Sequence, residues 1–316
     1  MFLRVDPFLL SLIGTIILAT FLPCQGEMVP VFKALTVIVI AIMFFMQGAR
    51  LSREAVVRGV IHWRLHLTIL CCTFVLFPLL GMALHWLMPH AVAEDIWLGL
   101  LFLCCLPSTV QSSIAFTSIA GGNVPAAVCA ATASNIFGMF ITPVLVGFVL
   151  VRSGASGDGV LPIVLQLLLP FALGQILQPF LGQWALRNKK ILSLTDRGSI
   201  LIVVYTAFSA AVVEGLWSSM PLSELGMIAV LDSLLLFGVL LFTTYGSRLL
   251  GFSKEDEITI MFCGSKKTLA SGVPMANVLF PASMVGSVVL PLMLYHQIQL
   301  FICAIIARKY SMKNQK

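Results

Sequence analysis

Charge is what this 316-residue chain has least of. Only 10% of its residues are Asp, Glu, Lys or Arg, where soluble globular chains carry about 25%, and that shortage excludes an ordinary water-soluble enzyme. The net charge of +6 does not point to a nucleic acid, because such a partner calls for clustered cations on a solvated face and these lie between apolar runs. Zinc-protease, nucleophile-elbow and phosphate-loop signatures are missing, and no acidic cluster suits a divalent metal. The eight cysteines contain no Cys-x-x-Cys. Cys71, Cys72, Cys104, Cys105, Cys129, Cys263 and Cys303 lie inside apolar stretches and read as small buried hydrophobes. The run from Met1 to Pro23 has no small-x-small cleavage site and reads as a membrane span.

Apolar residues are abundant, at 59% of the chain with a mean hydropathy of +1.03. At about 20 residues per span, the breaks between apolar runs leave ten segments: 8–23, 29–48, 66–87, 96–120, 124–151, 160–180, 198–216, 225–247, 256–280 and 284–307. Backbone groups in lipid must pair within their own segment, so each is expected to be a helix. Fifteen of the 19 Lys and Arg fall at the N-terminus, in the loops after spans 2, 6 and 8, and in the tail. Only Lys33 and Arg152 lie on the other side. The bias of cations toward the cytoplasm then places both termini inside, in the plasma (inner) membrane. Segment 50–64 is amphipathic, with Leu51, Ala55, Val56 and Val60 opposite Arg50, Arg53, Glu54 and Arg58, and reads as a helix lying on anionic lipid.

Two spans are interrupted. The fourth is broken at Pro107-Ser-Thr-Val-Gln-Ser-Ser113 and the ninth at Gly264-Ser-Lys-Lys-Thr268, about half the chain apart. They are the fourth helices of two five-helix halves, 1–151 and 160–307. An odd number of helices per half makes the halves inverted. The expected fold class is therefore an all-α membrane protein of ten transmembrane helices in two inverted repeats with broken helices 4 and 9. Broken segments at matching positions are the strongest sequence pointer to a transporter's binding site.

Ionisable groups at membrane depth need a reason. Lys266 and Lys267 are the sharpest, since adjacent residues on a helix point about 100° apart and at least one should face the cavity, either to bind an anion or to replace a coupling cation. Asp232 is the carboxylate clearly inside a span and is expected either to neutralise one of these lysines or to carry a coupling proton. The candidate site takes Thr109, Gln111, Ser112 and Ser113 from one break and Ser265, Lys266, Lys267 and Thr268 from the other, lined by Asn135, His296 and Gln297. Thr132 and Ser134 read as interhelical hydrogen-bonding groups.

At these residues the chain resembles the bile acid:sodium symporter superfamily, in its SBF-like branch. The most specific pieces are Phe44-Phe-Met-Gln-Gly-Ala-Arg-Leu-Ser-Arg-Glu54, Trp63-Arg-Leu-His66, Thr73-Phe-Val-Leu-Phe-Pro-Leu-Leu-Gly81, Leu106-Pro-Ser-Thr-Val-Gln-Ser-Ser113, Gly122-Asn-Val124, Cys263-Gly-Ser-Lys-Lys-Thr-Leu-Ala-Ser-Gly-Val-Pro274 and Tyr295-His-Gln297. The resemblance implies a panel domain (helices 1, 2, 6, 7) and a core domain (helices 3–5, 8–10), with the broken helices crossing in mid-membrane. It also implies two sodium ions at the crossing. The family's Ser-Asn pair falls on Ser112 and Ser113, its Glu on Cys263 and its Gln-Asn on Lys266 and Lys267, a set ill suited to a cation. Two unit charges 4 Å apart repel by about 4 kcal/mol at an effective dielectric of 20. Transport of a small amphipathic organic anion, independent of Na⁺ or linked to H⁺, is therefore expected, with no cofactor and with no partner besides substrate and lipid. Alternatives are a Na⁺-coupled symporter, a non-transporting regulator of ion homeostasis, and an intramembrane enzyme on a lipid-linked substrate. The enzyme would have only Asp232 and His296 to work with.

Overall fold

A computed structural model describes residues 7–50, 62–152, 160–213, 215 and 221–314. Among these residues every regular element is a helix: α1 (Pro7–Phe21), α2 (Met28–Arg50), α3 (Trp63–Leu87), α4 (Glu94–Cys105), α5 (Gln111–Ile119), α6 (Val124–Arg152), α7 (Val160–Ile176), α8 (Gln178–Arg187), α9 (Lys189–Val213), α10 (Leu222–Leu249), α11 (Lys254–Gly264), α12 (Leu269–Leu279) and α13 (Ala282–Asn314). Six of them, α2, α3, α6, α9, α10 and α13, are long and apolar enough to cross a membrane. The amphipathic segment 50–64 lies mostly outside the described residues.

Large apolar side chains cover the outside as well as the core, and polar side chains are buried among them. Val230, Leu234 and Phe237 of α10 are exposed, while Ile228, Leu231, Asp232, Leu235 and Leu236 on its other face are buried. In water that arrangement would be backwards; in lipid it is what the hydrophobic effect and backbone satisfaction require. The chain is a multi-pass membrane protein.

The helices gather into two compact units. One takes residues 1–51, 159–221 and 270–289, the other 52–158, 222–269 and 290–316. In the first, α2 and α7 touch backbone to backbone: a Cβ on Gly48 would collide with the Phe171 carbonyl, and one on Gly174 with the Phe45 carbonyl. Small residues permit such close approach, and in lipid close packing is the main attraction between helices. A bidentate pair from Arg50 to Asp196 (2.6 and 3.0 Å) and a Thr36–Thr206 hydrogen bond (3.1 Å) tie α2 to α9.

In the second unit, Gly122 and Asn123 form the corner between α5 and α6. A Cβ on Gly122 would lie 2.7 Å from both Ile258 and Thr117. Asn123 caps α6 by accepting the Ala126 N–H (3.1 Å) and donates to Asp256 (2.9 Å). Ser253 caps α11, and Glu257 in its first turn accepts from Arg248 twice (3.0 Å each) and from Lys254 (2.6 Å).

Candidate functional site

The fourth span breaks because Pro107 has no N–H to continue the helix and biases Leu106 toward extended backbone (φ −75°, ψ 154°). The next N–H, of Ser108, is drawn away to the Ser134 hydroxyl at 3.0 Å. The last carbonyls of α4 are thus left to other donors. Thr142 Oγ1 donates to Cys105 O (2.8 Å), Asn135 Nδ2 to Ser108 O (2.7 Å), and the Thr268 N–H to Pro107 O (3.0 Å).

Cys104 O and Leu106 O accept from Lys267 Nζ, at 2.8 and 2.6 Å. The third proton of that ammonium goes to Thr73 O at 2.8 Å. Thr73 O is free for a local reason. Residues Cys72–Leu76 form one π-helical turn in α3, so the Phe77 N–H bonds Cys72 O. In that register the donor to Thr73 O would be residue 78, which is Pro78 and has none. The Phe77 ring lies 4.0 Å from Nζ. Lys267 is fully buried, and all three of its donors are spent on carbonyls.

The second break is pinned to the first. Ser108 Oγ donates to Cys263 O (2.6 Å) and Ser113 Oγ to Phe262 O (3.3 Å). The hydroxyls of Thr109, Ser112 and Ser113 form a chain, with 2.6 Å between Thr109 and Ser112 and 3.2 Å between Thr109 and Ser113. Gln299 clamps the Lys267 peptide from both sides, accepting its N–H and donating to its carbonyl, each at 2.9 Å. Tyr295 OH donates to Ser265 O at 2.8 Å.

Lys266 differs from its neighbour. It is also fully buried, with Nζ 3.7 Å above the Phe116 ring, but its one hydrogen bond, to Ser112 O, is long at 3.4 Å. No carboxylate pairs with it among the described residues.

The structure brings together Thr109, Ser112, Ser113, Asn135, Ser265, Lys266, Lys267 and Thr268, and places His296 Nδ1 2.8 Å from Gln299. Gln111 is exposed and Gln297 half-buried, and neither joins the network. Thr132 bonds only its own helix, at Val128 O. The pairing expected between Asp232 and a lysine is absent: Asp232 is fully buried, and neither of its oxygens has a hydrogen-bond partner of ordinary geometry. The physical reason is that the proline-freed carbonyls already satisfy Lys267. Gln299, Ser108 and Thr73 were missed. Gln299 carried a signal, because it lies one helical turn after His296 and on the same face.

No group of three or more His, Cys, Asp or Glu among the described residues is placed to hold a metal. The family model described as the SBF-like CPA transporter family matches residues 6–312. The chain is 55% identical to uncharacterized protein PA2026 of Pseudomonas aeruginosa, over 98% of this chain and 94% of that one. It is 53% identical to putative symporter YfeH of Escherichia coli, covering 100% and 96%. Sodium/bile acid cotransporter 7 of Rattus norvegicus is 28% identical, covering 85% and 81%.

Proposed function

The chain belongs to the SBF-like CPA transporter family, and on that premise we propose that it is a secondary active transporter of a small amphipathic organic anion, working without sodium coupling. The observation that carries the sodium-free part is the Lys267 ammonium bound to three backbone carbonyls at the crossing of the two breaks. A ring of carbonyls of this kind is a cation site, and a tethered cation fills it. Sodium needs several oxygens free of a neighbouring positive charge, and that condition fails here.

The anionic substrate is inferred from Lys266. Among the described residues its ammonium has one long hydrogen bond, to the carbonyl of the half-buried Ser112, and no counter-ion. A carboxylate or sulfonate would supply the missing acceptors, and the Phe116 and Phe262 rings would meet its apolar part. We place Thr109, Ser112, Ser113 and Lys266 against substrate, and Asn135, Ser265, Lys267, Thr268 and His296 in support of the breaks. The two halves would act as inverted repeats, with the panel rocking against the core. In partial support of that division, α1, α2, α7, α8 and α9 gather in one compact unit and α3 to α6, α10 and α11 in the other, while α12 and the start of α13 group with the first. The cation bias supports a reading with both termini in the cytoplasm and the chain in the inner membrane.

The test is a thermal-shift and proteoliposome flux series on purified protein. Na⁺, K⁺ and pH are varied in parallel, with taurocholate as the first probe anion because a relative is named a bile acid cotransporter. The expected result is stabilisation and flux indifferent to replacing Na⁺ by K⁺. Steep, saturable Na⁺ dependence that disappears in Lys267→Gln would overturn the sodium-free reading in favour of the coupled symporter.

A further inference from the structure

Asp232 is the ionisable group that the site leaves unused. It stands in the middle third of α10, on the buried stripe formed by Ile228, Leu231, Leu235 and Leu236, and it has no exposed surface. Neither carboxylate oxygen has a hydrogen-bond partner of ordinary geometry, and no ion pair reaches it among the described residues. The titratable groups near it are Tyr295 of α13, whose backbone also approaches it, and Cys104 of α4. The phenol of Tyr295 is committed to Ser265 O, and the carbonyl of Cys104 to Lys267.

The helices packed on α10 bring no other charge to it. In α3, which meets α10 where Leu80 approaches Gly238, the ring of His85 lies against Trp97. The charges of α11, from Lys254 to Glu257, meet α10 at Arg248, sixteen residues and about 24 Å farther along it. Cys263, at the other end of α11, packs with Leu65, Ile69 and Ala127.

A carboxylate in such a place pays nearly its whole desolvation penalty, with only the backbone of Tyr295 to offset it. A leucine would pack as well, so packing does not explain the residue. The neutral acid does, because one covalently held proton cancels the charge without any partner.

We propose that Asp232 is a proton-binding site, loaded in the conformation described here and emptied during transport. The emptying rests on the transporter reading above. In that step the carboxyl O–H bond breaks heterolytically, its electron pair stays on the carboxylate oxygen, and the proton passes to water admitted as the surrounding helices part.

The experiment is infrared spectroscopy of the whole protein in lipid nanodiscs, with the proton as the probe ligand. The wild type is expected to show the carbonyl stretch of a protonated carboxyl at neutral pH. That band should shift on transfer to D2O, vanish in Asp232→Asn, and return in Asp232→Glu. Asn mimics the neutral acid in size and charge, so the variant is expected to fold with an unchanged melting temperature. A missing band, a band indifferent to Asp232→Asn, or one that never exchanges with D2O would overturn the proposal. In proteoliposomes holding a pH-sensitive dye, taurocholate is expected to drive proton movement in the wild type and at least tenfold less in Asp232→Asn. Equal proton movement in the two proteins overturns the carrier role and leaves the transporter reading intact. No flux in the wild type sinks the transporter reading, and the cycle with it, while the infrared result on proton binding stands by itself.

Discussion

Lys267 Nζ lies 2.6 Å from Leu106 O, so a side chain from the break between α11 and α12 closes the backbone of the break between α4 and α5. At Cys104 O the ammonium takes the place of the Ser108 N–H, which is bonded to Ser134 instead. Each break is incomplete without the other, and the two behave as one object.

Removing that ammonium should therefore cost more than an ordinary buried substitution. Lys267→Met leaves Thr73 O, Cys104 O and Leu106 O without donors, at about 1–3 kcal/mol for each unsatisfied group. A lowered melting temperature in detergent is the expected outcome. Ammonium or K⁺ should restore part of the loss in Lys267→Ala, where the ring of carbonyls is left open, and should do nothing for the wild type. Equal responses to added cation in both would count against a tethered ion.

Gln299 holds the Lys267 peptide by both its N–H and its carbonyl. Gln299→Leu keeps the volume and loses both bonds, an expected destabilisation of about 2–4 kcal/mol from two buried groups. Gln297→Leu, two residues away and on another face of α13, is the control and should be near neutral. Chemical unfolding of the two variants side by side decides it.

The contact of α2 with α7 makes a steric prediction. Gly174→Ala sets a methyl group against the Phe45 carbonyl. Backbone cannot rotate out of the way, so the helices must separate and lose their dispersion contacts, at about 1–3 kcal/mol. Gly226→Ala in α10 meets nothing within 4 Å and should stabilise by about 0.5–1 kcal/mol through helix propensity alone. Opposite signs in thermal unfolding are the signature.

Asn123→Ala removes the cap on α6 and the bond to Asp256 together. The expected cost is about 1–2 kcal/mol. Asn123→Asp keeps the capping oxygen but sets it against the Asp256 carboxylate, so it should rescue less than Asn123→Ser. A ranking of Asp above Ser in melting temperature would refute this account.

The broken helices were legible because their causes are local. Proline lacks a donor wherever it stands, and a lysine pair in an apolar run is conspicuous anywhere. Most helix ends fall near the expected spans for the same reason, but α9 starts at Lys189 rather than 198, α13 runs on to Asn314, and the span expected over 160–180 ends at Ile176 with α8 following as a separate helix. What stayed hidden depends on which helices meet. The π-turn at Cys72–Leu76 is read from sequence only by someone who already knows that a cation waits beside Thr73 O. The side-chain partner of Lys267 was sought among carboxylates, with Asp232 the nearest prospect. The backbone itself supplied the acceptors, and a pattern of side chains does not display those. Gln299 is less conspicuous in sequence than His296 and Gln297, although the two glutamines differ only in the face of α13 they occupy.

The π-turn in α3 also acts as a length standard. It inserts one residue into the helix, and the side chains from Phe77 onward are phased by that insertion. Deleting any one of Cys72–Leu76 would rotate the rest of α3 by about 100° and draw it in by about 1.5 Å. The Phe77 ring would leave Lys267, and Gly81 would leave the Cys104 thiol it now accommodates. Elsewhere in a membrane helix a single-residue deletion slides apolar side chains over apolar lipid and is absorbed. Here it would misregister two helices at once, so this five-residue stretch should tolerate substitution far better than any change in its number of residues.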